Sequence, residues 1–216
     1  MEQVEKQIID FIRRNHVSTT EVADCLGKSG LFHDSVALNQ RHFEVGRIRY
    51  SYAIEESNWT VHEEAEKLED GEIFMIDAID VNGRAIIGDL VSKYVLLYKR
   101  AAAIITNGKL RDAHTLIKEN YSIWCNGVSP IGCFNKNVNK EKYNEIIQKG
   151  KNIYDGAIAV CDDSGVVIIG KENITEELLE KLRKIEEQED IWYDCIDRRK
   201  MSTFDTVCLK KYLKNN

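Results

Sequence analysis

The sequence predicts an α/β fold, and three observations carry that prediction. EIFMIDAI (72–79) is a nearly unbroken apolar run of strand length. Both ends of the chain show helical apolar spacing: Val4, Ile8, Ile9 and Ile12 near the start, and Leu178, Leu179, Leu182 and Ile185 near the end. Between residues 85 and 106 strand-like and helix-like patterns alternate, as parallel crossover units do. Pro130 is the sole proline and no Gly/Ser-rich linker interrupts the chain. Residues 1–216 are therefore read as a single domain, with N-terminal helices over about 1–30 and a helical tail over about 173–216.

The elements follow in order. Residues 2–15 form a helix, and Ser18 with Glu21 makes a capping box for a second, ended by Gly27 or Gly30. Phe43 to Ala53 alternates as a strand, with Ile48, Tyr50 and Tyr52 on one side. Thr60 and Glu63 make another capping box, for a helix through Leu68, and Asp70-Gly71 turns the chain into the 72–79 strand. After the turn Asn82-Gly83, Ala85-Ile86-Ile87 is extended, Gly88-Asp89 breaks it, and Leu90 to Arg100 is helical. Ala101 to Thr106 is a buried strand, followed by the turn Asn107-Gly108 and by Leu110-Arg111-Asp112. Read as one right-handed strand–helix–strand unit, this stretch brings Gly88-Asp89 and Arg111-Asp112 to the same side of the molecule. Tyr121 to Cys125 is a further strand, and 157–161 with 165–169 form a hairpin. Asn173 with Glu176 caps the long C-terminal helix, and Trp192 and Tyr193 pack the segment beyond it.

Composition excludes several classes. A net charge of −6 argues against general nucleic-acid binding, which needs a basic face to displace counterions. Arg47 with Arg49, and Arg198 to Lys200, read first as solvated surface. The apolar runs around YVLLY and AAAII are too short to span a bilayer, and the charged N-terminus lacks a signal-peptide core. Six cysteines form no CxxC pair and no zinc-type cluster, so they read as small apolar residues in a reducing compartment. The expectation is a cytoplasmic protein with no membrane partner and no direct nucleic-acid partner. No G-x-G-x-x-G loop is present, which argues against a nucleoside cofactor.

The residues that can do chemistry lie in 88–112. A glycine at a helix start lets backbone N–H groups approach an anion, and the helix dipole favours negative charge there. The amides of Gly88, Asp89, Leu90 and Val91 thus form a candidate carboxylate or phosphate cradle. Arg111 adds a planar, bidentate partner. Asp89 and Asp112 supply hard oxygen ligands of the kind Mg²⁺ takes. Taken from spacing alone, Gly88-Asp89 is also an ordinary helix cap and Arg111-Asp112 an ordinary surface pair. His114 reads as a surface residue or a metal ligand. Cys125 and Cys133 flank the loop NGVSPIG, which is expected to border the pocket; with no identified base they read as core packing rather than as nucleophiles.

Three segments in order resemble the RraA-like family, which contains regulators of ribonuclease E activity and class II pyruvate aldolases. They are STTEVADCLGKSG (18–30), GDLVSKYVLLYKRAAAIITNGKLRD (88–112) and GAIAVCDDSGVVII (156–169). The resemblance implies a three-layer β/β/α swivelling-domain fold, assembled as a homotrimer or hexamer with sites at subunit interfaces. It implies that the Gly88-Asp89-Leu90-Val91 backbone holds the carboxylate of a small 2-oxo acid. Arg111 then binds the keto acid group, Asp112 ligates Mg²⁺ or Mn²⁺ directly, and Asp89 acts through water and assists proton transfer. The implied activity is a metal-dependent lyase: retro-aldol cleavage, or decarboxylation of an oxaloacetate-like acid. The alternative is a non-catalytic regulator whose partner is a ribonuclease or other enzyme. Departures from the pattern are Asn107 for the usual aspartate, Thr115 where aldolases often carry an acid, and Arg47 and Arg49 where small residues are common. The two arginines read equally as contacts to a larger anion and as exposed strand positions.

Overall fold

The computed structural model describes residues 2–214. Seven strands share one sheet, in spatial order β1 (Val36–Ala37), β7 (Ile123–Cys125), β5 (Ala103–Thr106), β3 (Ile73–Ile79), β2 (Glu44–Ile54), β8 (Ile158–Asp162) and β9 (Gly165–Ile169). The central pairings β2–β3, β3–β5 and β5–β7 are parallel, and β1–β7, β2–β8 and β8–β9 are antiparallel. Buried on both faces, β3 needs the apolar run that its sequence supplies.

The sheet curls almost shut. Just ahead of β1, Phe32 N–H donates to Val166 O (3.0 Å) and Ile168 N–H to Gly30 O (2.7 Å), so one segment touches both edges of the sheet. Closure of this kind leaves few unpaired edge groups. Inside it lie Phe32, Ile48, Met75, Ile105, Trp124 and Ile168. A second core, around Val45, Val160 and Ile169, is covered by α1 (Glu2–Asn15), α2 (Thr19–Cys25) and α7 (Glu176–Asp197). A third, around Phe74, Ile76 and Ile104, lies under α3 (Trp59–Ala65), α4 (Asp89–Lys93) and the strands β4 (Ala85–Ile87) and β6 (Lys109–Leu110). This is the mixed α/β architecture that the sequence predicts.

Several local expectations hold. The α2 capping box is formed, with Glu21 N–H donating to Ser18 Oγ and Ser18 N–H to Glu21 Oε2. The β8–β9 hairpin is in place, and Ile48, Tyr50 and Tyr52 face the same core.

Others are corrected. Helix α3 has Asn58, not Thr60, at its N-cap position, with no capping bond from the Asn58 side chain, and Thr60 is buried inside the first turn. Helix α7 is capped by Thr175, whose Oγ1 accepts from Leu178 N–H (3.2 Å), while Asn173 ends a preceding 3₁₀ turn. A Ser, Thr or Asn one or two positions away suits the same role, so the spacing alone did not separate them. The helix placed at Leu90 to Arg100 starts at Asp89 and widens to a π-type turn over Tyr94–Tyr98, ending with Lys99 N–H on Tyr94 O. Arg100 lies beyond it, in a left-handed conformation. Strands β4 and β5 do not share a sheet, so 85–106 is not one crossover unit; β4 pairs in parallel with β6 instead. Helices α5 (Ala113–Lys118) and α6 (Asn144–Tyr154) and strand β1 complete the fold without having been predicted. Beyond α7 the chain folds back: Met201 N–H donates to Cys195 O, and Tyr212 Oη to Gln188 Oε1. Tyr193 points to solvent, 65% exposed, rather than packing that segment. Among the described residues no helix is long and apolar enough to cross a membrane.

Candidate functional site

The parallel pairing of β4 with β6 sets the site. Ile87 lies opposite Leu110, and Arg111 N–H donates to Ile87 O at 3.0 Å. The residues that follow each strand, Gly88-Asp89 and Arg111-Asp112, are therefore held side by side. Asp89 N–H donates to Asp112 Oδ2 (3.1 Å), and Arg111 Nε lies 3.7 Å from the same oxygen. The gap of 23 residues in sequence is closed by strand pairing, not by a crossover helix.

Gly88 is needed for space. Its backbone is extended (φ −143°), open to any residue, but a Cβ there would overlap Asp112 Oδ2 and lie 2.7 Å from Arg111 Cγ. A Cβ on Gly132 would lie 2.8 Å from Arg111 Nη1, so two glycines flank the arginine. Gly88 O accepts from Ser92 N–H (3.0 Å) and from the buried Ser92 Oγ (2.9 Å), anchoring the helix start. Asp112 is left-handed (φ 58°, ψ 32°), a conformation that costs most residues energy but that aspartate tolerates. Its carbonyl accepts from Thr115 N–H (2.9 Å) and Leu116 N–H (3.1 Å), opening α5.

These residues border a cleft of about 100 Å³ whose walls include Asn58, His62, Gly88, Arg111, Gly132 and Cys133. Leu90 and Val91 line it as well. By helical geometry the first-turn amides of Leu90 and Val91 have no acceptor within their own helix. The Asp89 amide is already taken by Asp112. The arrangement can hold a carboxylate between two backbone amides and a guanidinium.

Other residues singled out in the sequence lie elsewhere. Arg47 pairs with Glu5 (3.3 Å), and Arg49 forms two bonds to Glu72 (3.2 and 3.1 Å), so both arginines are engaged in structural ion pairs. Arg198 and Arg199 pair with Asp194. His114 is exposed and does not line the cleft. Burial pushes the Cys133 thiol up to about 11 and raises Cys125 as well, which keeps both protonated and poorly nucleophilic. Cys125, Cys161 and Cys195 are buried, whereas Cys208 is exposed. Sequence reasoning missed Asn58 and His62 in the cleft wall. Their signal was the helix start at 58–59, which was misplaced by two residues.

A family model described as RraA-like, Aldolase/RraA, matches residues 19–168. The chain belongs to the RraA-like family. Solved structures agree on the fold. A structure of an uncharacterized protein from Pseudomonas syringae pv. tomato str. DC3000 has a TM-score of 0.72 at 19% identity, covering 95% of this chain and 94% of that one. Streptomyces coelicolor RraAS2, described as an unusual member of the RNase ES inhibitor RraA family, has a TM-score of 0.65 at 19% identity, covering 85% and 94%. The RNA-processing inhibitor RraA of Thermus thermophilis has a TM-score of 0.55 at 18% identity, covering 70% and 91%. The RraA-like family includes both metal-dependent aldolases and inhibitors of ribonuclease E.

For a divalent cation the donor set is small. Asp112 is half-exposed with one oxygen engaged by the Asp89 amide, and among the described residues no three His, Cys, Asp or Glu side chains converge. That fits a cation such as Mg²⁺, which takes one or two carboxylates and keeps several waters. It does not fit zinc, which needs three or four protein ligands.

Proposed function

We propose that this RraA-like protein is a divalent-metal-dependent lyase acting on a small 2-oxo acid, by retro-aldol cleavage or by decarboxylation of an oxaloacetate-like substrate. The observation that carries the reading is the joining of Gly88-Asp89 to Arg111-Asp112 at one cleft, with Asp89 N–H on Asp112 Oδ2 at 3.1 Å. In this reading the amides of Leu90 and Val91 and the Arg111 guanidinium hold the acid's carboxylate. Gly88, lacking a Cβ, keeps Arg111 and Asp112 in reach of one another. Asp112 would hold Mg²⁺ or Mn²⁺, and Asp89 would orient a water and move a proton. The cation supplies Lewis acidity that draws charge from the 2-oxo group as the neighbouring C–C bond breaks.

The site is completed, in the same proposal, by a second copy of the chain in a homotrimer or hexamer. Leu90 lines the cleft yet is 80% exposed, and Tyr94, Leu97 and Tyr98 extend its apolar stripe along the same helix. Residues at i, i+4, i+7 and i+8 share a helical face, and a face this apolar beside a site suits burial against another subunit. No membrane or direct nucleic-acid partner is proposed, and a cytoplasmic location fits six cysteines that are all free thiols.

The second reading is a non-catalytic regulator that binds a ribonuclease or another enzyme. Thr115 supports it, because that position, often acidic in the aldolases, here leaves Asp112 without a neighbouring carboxylate on α5. Oxaloacetate decarboxylation by purified protein, with Mg²⁺ or Mn²⁺ and with EDTA, separates the readings. Metal-dependent turnover that falls at least about 100-fold in Asp112→Ala is the expected result. An inert wild type that binds no metal transfers the assignment to the regulator.

A further inference from the structure

Asn58 carries a feature that its structural role leaves unexplained. Its side chain is 7% exposed, lines the cleft, and donates through Nδ2 to Ile86 O at 2.8 Å. A carbonyl oxygen only accepts, so this bond fixes the orientation of the amide. The remaining oxygen, Oδ1, is buried and has no hydrogen-bond partner among the described residues. A buried acceptor left unpaired is costly and calls for an explanation, and at the wall of a cleft a bound ligand or water supplies one. Ile86 belongs to β4, the strand that leads directly into Gly88, so Asn58 is tied to the same scaffold as the carboxylate cradle. His62, one turn further along α3, lines this cleft and also the open groove beside it, which runs past Trp59 and Glu63.

We infer that Asn58 is a ligand-binding, specificity-determining residue whose Oδ1 accepts a hydrogen bond from an O–H group in the cleft. The O–H belongs either to a hydroxyl of the bound acid or to a water held there by the divalent cation. An oxaloacetate-like acid with its carboxylates ionised has no donor to give, whereas a retro-aldol substrate carries a hydroxyl, so Asn58 favours ligands of the second kind, or sites that carry a cation-bound water. His62 continues the wall for the part of the acid that extends away from Arg111. The inference rests on the carboxylate-binding role proposed for Arg111.

The test is calorimetric binding of L-malate and of succinate, which differ by one hydroxyl, to wild type, Asn58→Leu, His62→Ala and Arg111→Met. Each titration is run in EDTA, and Mg²⁺ binding is measured separately. With a ligand hydroxyl, wild type prefers malate by about three- to tenfold in EDTA, and Asn58→Leu abolishes that preference. With a cation-bound water, the preference is absent in EDTA, but Asn58→Leu weakens Mg²⁺ binding by a similar factor. Should Asn58→Leu fail to fold for want of its bond to Ile86, the Asn58 side-chain amide resonances of wild type supply the same answer. They would shift with malate or Mg²⁺ and not with succinate. Unchanged preference and unchanged Mg²⁺ affinity in Asn58→Leu, with acid binding still lost in Arg111→Met, would overturn this inference and leave the carboxylate site standing. Binding of neither acid nor Mg²⁺ by wild type would overturn both.

Discussion

Asn107 shows how one atom exchange can matter. Its Oδ1 accepts from Ala78 N–H at 2.7 Å, and its Nδ2 donates to Asp77 Oδ1 at 2.9 Å. Asn107-Gly108 reads as a turn in sequence, but neither residue has a positive φ. The asparagine is there to donate, and Gly108 is there because a Cβ would lie 2.8 Å from Ala78 Cβ. Asn107→Asp, which restores the residue common in the family, would set two carboxylates against each other. It should destabilise the fold by about 1–3 kcal/mol at neutral pH, read by urea denaturation, and by less in acid. Asp77 has its own pH signature. Burial raises its carboxyl above the ordinary value of 3.8, despite bonds from Asn107 and Tyr50 that pull it down. The folded chain therefore holds this proton more tightly than the unfolded chain, and the stabilisation is full below 3.8 and lost as pH rises through the higher folded value. Asp77→Asn cannot ionise there. Its stability relative to wild type should climb across that window and then level off; a flat difference would mean that Asp77 titrates normally.

At the scale of elements, the terminal helices and the buried strands were legible because each is specified by its own periodicity, whereas α5 and α6 were not. Val4, Ile8, Ile9 and Ile12 predict α1, and the Ser18–Glu21 pair predicts α2, with no outside information. The pairing of β4 with β6 was not legible, since strands of three and two residues carry no pattern that names a partner. Gly88-Asp89 and Arg111-Asp112 do lie side by side as expected, but through the β4–β6 pairing and not through a crossover unit. Gly88 and Gly83 separate the two jobs a glycine does here. Gly83 sits at φ +70° with open space around it, so Gly83→Ala should cost about 1 kcal/mol of stability and leave ligand binding unchanged. Gly88→Ala strains no backbone but displaces Arg111 and Asp112. It should lower oxaloacetate turnover by about 100-fold or more while shifting the melting temperature little. Equal effects of the two variants on turnover would remove Gly88 from the site.

For the whole molecule, the closure of the sheet and the exposure of the α4 face have a common cause in burial. Sequence predicts which segments are apolar but not which apolar face is left over once the cores are filled. Ile8, Trp124 and Phe74 disappear into three separate cores, whereas Leu90, Leu97 and Tyr98 remain 80%, 53% and 72% exposed. Val95, on the same helix, is fully buried, so the helix is apolar on two faces and satisfies one of them internally. In the proposed homotrimer or hexamer this face would be covered, because closed symmetry buries the same patch in every subunit. Because the stripe begins at Leu90 inside the cleft, assembly and activity should fail together. Tyr98→Glu places a charge at the far end of the stripe, away from Arg111 and Asp112. Light scattering during size exclusion should show it shifting towards monomer. Turnover should fall by more than about tenfold at dilute concentration and recover as protein concentration rises. An assembly that survives both Tyr98→Glu and Leu97→Asp would place the interface on another surface, and the cleft would then have to be complete within one chain.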